Sequence, residues 1–221
     1  MIIKRLFLFL RIIYNILRYH NILGKKYKIS QDISFGYQEN ILFEKLLGQS
    51  NFYLEYGSGS STILAARERK NFLSIECDRG FYLFISKFSK NIKFKNIGYT
   101  HYYGHPIFLT LRKYFISIKA KKMCYEPLIY LNKNRIIPDL ILIDGRYRVL
   151  CALYLYRFLI NKKNHNFNLI IDDYEHRYRY HILNKFFKIE LIGRFGFSNK
   201  ILPADIREVK YWIEHFSKIS R

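Results

Sequence analysis

Acidic side chains are scarce in this chain. Of its 221 residues, 17 are Asp or Glu and 38 are Lys or Arg, a formal net charge of +21. That imbalance disfavours cationic partners and favours polyanions: nucleic acid, anionic lipid or phosphorylated substrates. Lys, Ile, Asn, Tyr and Phe are abundant throughout, so where the charges sit carries more than their sum. Cysteine is scarce too. Cys77, Cys124 and Cys151 are far apart and odd in number, which excludes a disulfide framework and a zinc pattern and fits a reducing cytosol. Low-complexity linkers and internal repeats are absent. Half of the residues are hydrophobic and 18% are aromatic, so the chain reads as ordered and long enough for one domain with its own core.

A long uninterrupted apolar run is also missing. Residues 1–22, MIIKRLFLFLRIIYNILRYHNI, come nearest. Lys4, Arg11, Asn15 and Arg18 fall on one narrow stripe of a helix, and Leu6, Phe7, Leu10, Ile13, Ile16 and Leu17 fill most of the rest. The run is too short and too often broken by Arg to span a bilayer, and no small-residue cleavage site follows. Two readings stand: an interfacial helix on an anionic membrane, and a helix packed on protein. The expected organisation is this basic amphipathic helix, 1–22, followed by one domain, 23–221. The expected location is the cytoplasm, peripheral at the inner face of the membrane if the first reading holds.

What the chain does have is a strand–turn–helix–strand unit at Phe52–Asp78, FYLEYGSGSSTILAARERKNFLSIECD. An apolar run ends in Glu55, and Gly57 and Gly59 form a turn. Ser60, Ser61 and Thr62 open a helix, and a second apolar run ends in Glu76. Glycines let the backbone approach a ligand, and the following helix offers free N–H groups. Glu76, 19 residues beyond Gly57, stands where an acid can accept from ribose hydroxyls. A plain NAD site would prefer a third glycine at position 62, where Thr62 stands. An acid two residues before the first glycine suits a cationic or amine-bearing ligand better than a pyrophosphate.

This pattern resembles motif I of the class I S-adenosylmethionine-dependent methyltransferases. The resemblance implies a Rossmann-like doubly wound α/β sheet, mostly parallel, and S-adenosyl-L-methionine as cofactor. It puts Glu55 near the cofactor's amino-acid end and Glu76 on its ribose. The cofactor contacts it implies are Glu55, Gly57, Ser58, Gly59, Ser61, Thr62, Glu76, Cys77 and Asp144.

Around this unit, 38–47 reads as a packing helix, 81–90 as a second helix and 92–97 as a third strand. His101 and Tyr103, in the loop 98–106, are candidate substrate contacts or ordinary surface. Residues 107–135 read as an insertion or cap. Pro138–Asp144 and Asn168–Ile171 read as buried strands, 175–187 as a helix, 188–197 with the residues around Ile201 as an antiparallel hairpin. Asp205 is placed to cap a last helix with Ile206, Val209, Ile213 and Phe216 on one face.

Asp144, Asp172 and Asp173 stand at the ends of the fourth and fifth strands. Converged carboxylates repel unless a cation or proton intervenes. Hard oxygen ligands suit Mg²⁺, which would activate an acceptor hydroxyl. Asp144, Asp173 and His176 are the catalytic candidates, with Asp173 or His176 as general base. The arrangement is similar to metal-dependent O-methyltransferases. The segment DGRYRVLCAL also resembles uncharacterised bacterial methyltransferase-like proteins, and there Arg146 and Arg148 are the alternative to a metal, pairing with Asp144 or Asp173. Arg146 and Arg177 are candidates for holding an anionic part of the substrate, with solvated surface charge as the plain alternative.

Three functions follow. The leading one is methyl transfer to a hydroxyl of a sugar, glycan precursor or related small molecule, carried on a lipid if residues 1–22 meet a membrane. RNA methylation ranks below it: the charge favours it, but the Asn/Asp-Pro-Pro-Tyr/Phe motif and a Cys nucleophile after strand four are both missing. The third is a silent scaffold or membrane adaptor of the same fold.

Overall fold

Four short runs of apolar and aromatic residues form the centre of the molecule. They are β1 (Tyr53–Tyr56), β2 (Phe72–Glu76), β4 (Leu140–Ile143) and β5 (Asn168–Ile171), separated in sequence by helices and paired in parallel. The computed structural model describes residues 29–30, 32–33, 35–76, 81–82, 84–85, 97–98, 109–162 and 166–218. Residues 1–22, Cys77, His101 and Tyr103, and the greater part of the expected 81–90 helix and 92–97 strand, lie outside that set. At the edges β3 (Ile97–Gly98) pairs with β2, and β6 (Glu190–Ile192) and β7 (Phe195–Ser198) form the antiparallel hairpin expected from the sequence. The sheet order is β3-β2-β1-β4-β5-β7-β6, a doubly wound, Rossmann-like arrangement whose order reverses between β1 and β4.

The strands alternate between two cores, as a period of two requires. Leu54, Tyr56, Leu73, Ile75, Ile141, Ile143, Leu169 and Ile171 face one layer of helices: α3 (Leu109–Lys133), α4 (Arg148–Lys162) and α5 (Ile206–Ser217). Tyr53, Phe72, Leu140, Leu142 and Ile170 face the other: α1 (Tyr37–Gln49) and α2 (Ser60–Arg67). Of the segment expected as a cap, the part from Ala120 onward belongs to the core. Ala120, Met123, Cys124, Leu128 and Leu131 recur at threes and fours and are buried there. Helix α4 lies between its neighbours and is buried nearly all round, from Val149 to Leu159. In α5, Asp205 caps the Arg207 N–H at 2.8 Å, and Val209, Ile213 and Phe216 are buried as expected, while Ile206 is exposed. Among the described residues, no helix is long and apolar enough to cross a membrane.

Two expectations change. The 175–187 segment is a 3-10 helix, η1 (Tyr178–Lys185), rather than an α-helix. Tyr180, Leu183 and Phe186 are its buried side, and their spacing of three matches three residues per turn. Strand β1 also runs one residue past Glu55, to Tyr56. Glu55 therefore points sideways under α2 instead of standing at the strand tip.

The reversal point is closed by backbone against backbone. Gly145 N–H donates to Tyr56 O at 2.6 Å and Gly57 N–H to Ile75 O at 2.8 Å. Gly57 has a φ of 102°, and a Cβ there would lie 2.6 Å from Gly145 Cα. Gly57→Ala is expected to lower stability by about 2–4 kcal/mol, since strain and clash combine. Gly48→Ala, in α1 with nothing within 4 Å of a new Cβ, should instead leave stability unchanged or slightly raised. Urea denaturation of both variants measures the difference.

Candidate active site

Beneath the glycine turn lies a fully buried carboxylate. Glu55 accepts hydrogen bonds from four hydroxyls: Tyr53 (3.0 Å), Ser61, Thr62 and Ser74 (2.6 Å). Burial raises its pKa and outweighs the four hydrogen bonds, each of which pulls the other way. The hydroxyls come from β1, α2 and β2, so the acid ties all three elements together. Ser58 Oγ meets Ser74 Oγ at 2.7 Å, and Thr62 Oγ1 accepts the Gly59 N–H at 2.9 Å, closing the first turn of α2. Glu55, expected beside a cofactor's amino-acid end, is thus enclosed by protein. It shapes the turn from below.

The turn's upper side is different. A Cβ on Gly59 would meet nothing nearer than Ser61 Oγ at 3.9 Å, and its φ of −170° is open to any residue. Among the described residues, nothing requires glycine there. The missing side chain leaves room next to the first turn of α2, whose leading N–H groups lack intrahelical acceptors. Glu76 ends β2 on the same face as Ser74 and is almost buried. These residues fit an adenosine-bearing cofactor: a backbone cradle, helix N–H groups and an acid at the next strand end.

At the ends of β4 and β5 the three aspartates converge, as the sequence suggests, and their cations are arginines. Arg148 pairs with Asp144 at 2.9 Å, Asp173 at 3.2 Å and Asp172 at 3.4 Å, and also donates to the Asp172 carbonyl. Arg194, from the turn between β6 and β7, holds Asp172 in a two-pronged pair at 2.6 and 2.7 Å. Arg177 pairs with Asp173 at 2.9 Å. Among the described residues, no group of three or more His, Cys, Asp or Glu is arranged to hold a metal ion. The magnesium site expected on Asp144, Asp172 and Asp173 does not fit, because guanidinium groups already neutralise those carboxylates.

The aspartates are not equivalent. Asp172 has a side chain 2% exposed, whereas Asp144 and Asp173 are 32% and 33% exposed. Burial pushes the Asp144 carboxyl up to about 8, helped by its hydrogen bond with Asp172 and by the charges of Asp172 and Glu55, and opposed by Arg148. Burial pushes Asp172 up as well, but the hydrogen bonds from Asp144 and Arg194 and the charges of both arginines outweigh it and hold its carboxyl below the usual range. The two carboxyls are thus pushed in opposite directions, Asp144 up and Asp172 down. Asp173 stands at a φ of 54°, in the left-handed region that short polar side chains tolerate.

Other expected residues are not brought to this cluster. His176 is 85% exposed and pairs with its neighbour Glu175 at 3.3 Å. Arg146 is exposed beside Gly145. Arg177 arrives, but bonded to Asp173 and lying over the Tyr180 ring at 5.6 Å. Arg194 and Gly145 were not singled out from the sequence for the site. The one available signal for Arg194 was a basic residue following Gly193 in a hairpin turn.

The order of the strands and the helices on both faces of the sheet can be compared with known structures. A crystal structure of a methyltransferase-like protein from Silicibacter pomeroyi DSS-3 superposes with a TM-score of 0.60 over 86% of this chain and 98% of that one, at 21% sequence identity. The chain has a methyltransferase-like fold. No protein-family model and no curated protein matches the sequence.

The raised Asp144 carboxyl has a consequence for stability. Between the ordinary aspartate value of 3.8 and about 8, the folded chain holds a proton on Asp144 that the unfolded chain has released. That stabilisation is complete below the lower value and is lost as pH rises through the upper one. Asp144→Asn keeps a donor toward Asp172 and cannot titrate. Its urea midpoint should fall less steeply than that of the native protein between about pH 5 and about pH 8. Equal slopes would place the proton elsewhere.

Proposed function

We propose that this protein transfers a methyl group from S-adenosylmethionine to a hydroxyl of a sugar, glycan precursor or related small molecule. The observation that carries this reading is the open cradle at Gly59, built over the Glu55 hydroxyl cage and set between Glu76 and Asp144. The cofactor supplies an electrophilic methyl group on a positively charged sulfur. Ser58, Gly59 and the first N–H groups of α2 receive it, and Glu76 accepts from its ribose hydroxyls. Asp144, about a third exposed, is placed to take the proton from the acceptor hydroxyl as the methyl group passes from sulfur to oxygen, the sulfur–carbon bond breaking to leave a neutral thioether. That role needs the ionised carboxylate, so turnover rises toward and above about pH 8, where Asp144 loses its proton. Arg148 keeps that carboxylate oriented, and Arg146 holds an anionic part of the acceptor. The basic amphipathic pattern of residues 1–22 supports an acceptor carried on a lipid at the cytoplasmic face of a membrane.

The net charge of +21 favours RNA as a second acceptor class. An RNA enzyme would lose binding steeply with salt, and a small-molecule enzyme would not.

Equilibrium dialysis with labelled S-adenosylmethionine tests the cradle. The native protein should bind it. Gly59→Ala should fold with an unchanged urea midpoint, because its Cβ meets nothing nearer than 3.9 Å, yet bind roughly tenfold more weakly. Binding and turnover should persist in EDTA, given the arginines at the aspartate cluster. A folded native chain that ignored the cofactor at millimolar concentration would end the reading.

A further inference from the structure

On the helix layer beyond β5, a cavity of about 680 Å³ opens between η1 and the last turns of α5. Its volume lies within the range of small-molecule sites. Tyr178, Trp212 and Phe216 bring aromatic rings to it, and Arg179 and Lys218 bring positive charge. Among the described residues, no carboxylate lines it. The acids on α5 are engaged outside the cavity: Glu208 accepts from Lys185 at 2.6 Å and Glu214 from Lys121 at 2.7 Å. Glu208 also accepts the Trp212 indole N–H at 3.4 Å, and the Phe216 ring lies 5.9 Å from the indole. The indole, one wall of the cavity, is thus braced by Glu208 and by the rings of Tyr211, His215 and Phe216.

The wall made by η1 is fixed as well. Arg177, immediately before it, is bonded to Asp173, and Tyr180 and Leu183 are buried in the core. Residues Tyr178 and Arg179 are therefore presented from an anchored turn, and the Arg179 Nε–H donates to the Tyr178 hydroxyl at 3.3 Å. A guanidinium in this setting still has a fork of donors to offer an anion.

We propose that this cavity binds a small anion carried on a flat ring, as in a nucleoside monophosphate. The ring stacks among Tyr178, Trp212 and Phe216, and the anionic group meets Arg179 and Lys218. The site shares no lining residue with the cradle at Gly59, and the proposal does not depend on methyl transfer.

Trp212 is the only tryptophan in the chain, so emission excited at the red edge of its absorption, where the 20 tyrosines do not absorb, reports on this cavity. UMP and GMP, titrated without S-adenosylmethionine, should change the Trp212 emission with saturation. Uridine and inorganic phosphate, each carrying half of the chemistry, should bind at least about tenfold more weakly. Arg179→Gln should weaken UMP roughly tenfold, while Lys210→Gln, which removes the same charge from α5 away from the cavity, should not change it. Circular dichroism matching the native protein confirms that both variants fold. Absence of saturation with both nucleotides up to millimolar concentration would overturn the proposal. So would equal binding of UMP and uridine, or equal loss in the two variants. An oligouridylate that bound tighter in proportion to its length would overturn it too, by replacing a small-molecule cavity with a groove tracking a strand. None of these results bears on the methyl-transfer reading, which the dialysis measurement decides separately.

Discussion

A carboxylate without access to water is the constraint around which this structure is arranged. Burying Glu55 is costly unless its oxygens are saturated with donors. The donors available are hydroxyls, and they come from three different elements: Tyr53 on its own strand, Ser61 and Thr62 at the start of α2, and Ser74 on β2. Satisfying the acid therefore fixes where α2 begins relative to both strands. Thr62 makes a second contact from the same oxygen, accepting the Gly59 N–H. The turn is thereby held from its inner side, and its outer side is left unfilled.

The same logic of compensation governs the second centre, with different means. Asp144, Asp172 and Asp173 lie too close for three free negative charges. Two arginines and a third at the rim offset the conflict, and the Asp144 carboxyl is pushed up to about 8. The result is a graded set. Asp172 is buried and its carboxyl is held below the usual range by its arginines, whereas Asp144 is partly exposed and its carboxyl is pushed up to about 8. Environments that push two neighbouring carboxyls apart in this way separate a structural role from a chemical one.

Much of this was legible because parallel strands buried on both faces read as apolar runs, and the acids ending those runs mark the strand tips. Asp144, Asp172 and Asp173 were recognised on that basis, and so was the hairpin. Glu55 was misplaced by one residue of strand. Tyr56 looks like the beginning of the turn, but its ring is buried against α3 and its hydroxyl bonds to the Cys124 carbonyl at 2.9 Å. Once Tyr56 is strand, alternation puts Glu55 under α2. The nature of the 175–187 segment lay in a period of three that a search for amphipathic α-helix overlooks. Arg194 was out of reach for another reason. Its partner Asp172 is 22 residues away, and only the pairing of β7 with β5 brings them together.

That pairing bears on how the protein is made. As the chain emerges from the ribosome, Asp172 is synthesised well before the guanidinium that it grips most tightly. Until the hairpin has been added, one end of β5 carries a carboxylate whose burial is only partly compensated, by Arg148. Until residue 194 has been added, that strand end lacks the guanidinium that grips Asp172 through both oxygens. A hairpin translated after the strand it flanks is thus the part that permits the centre to close.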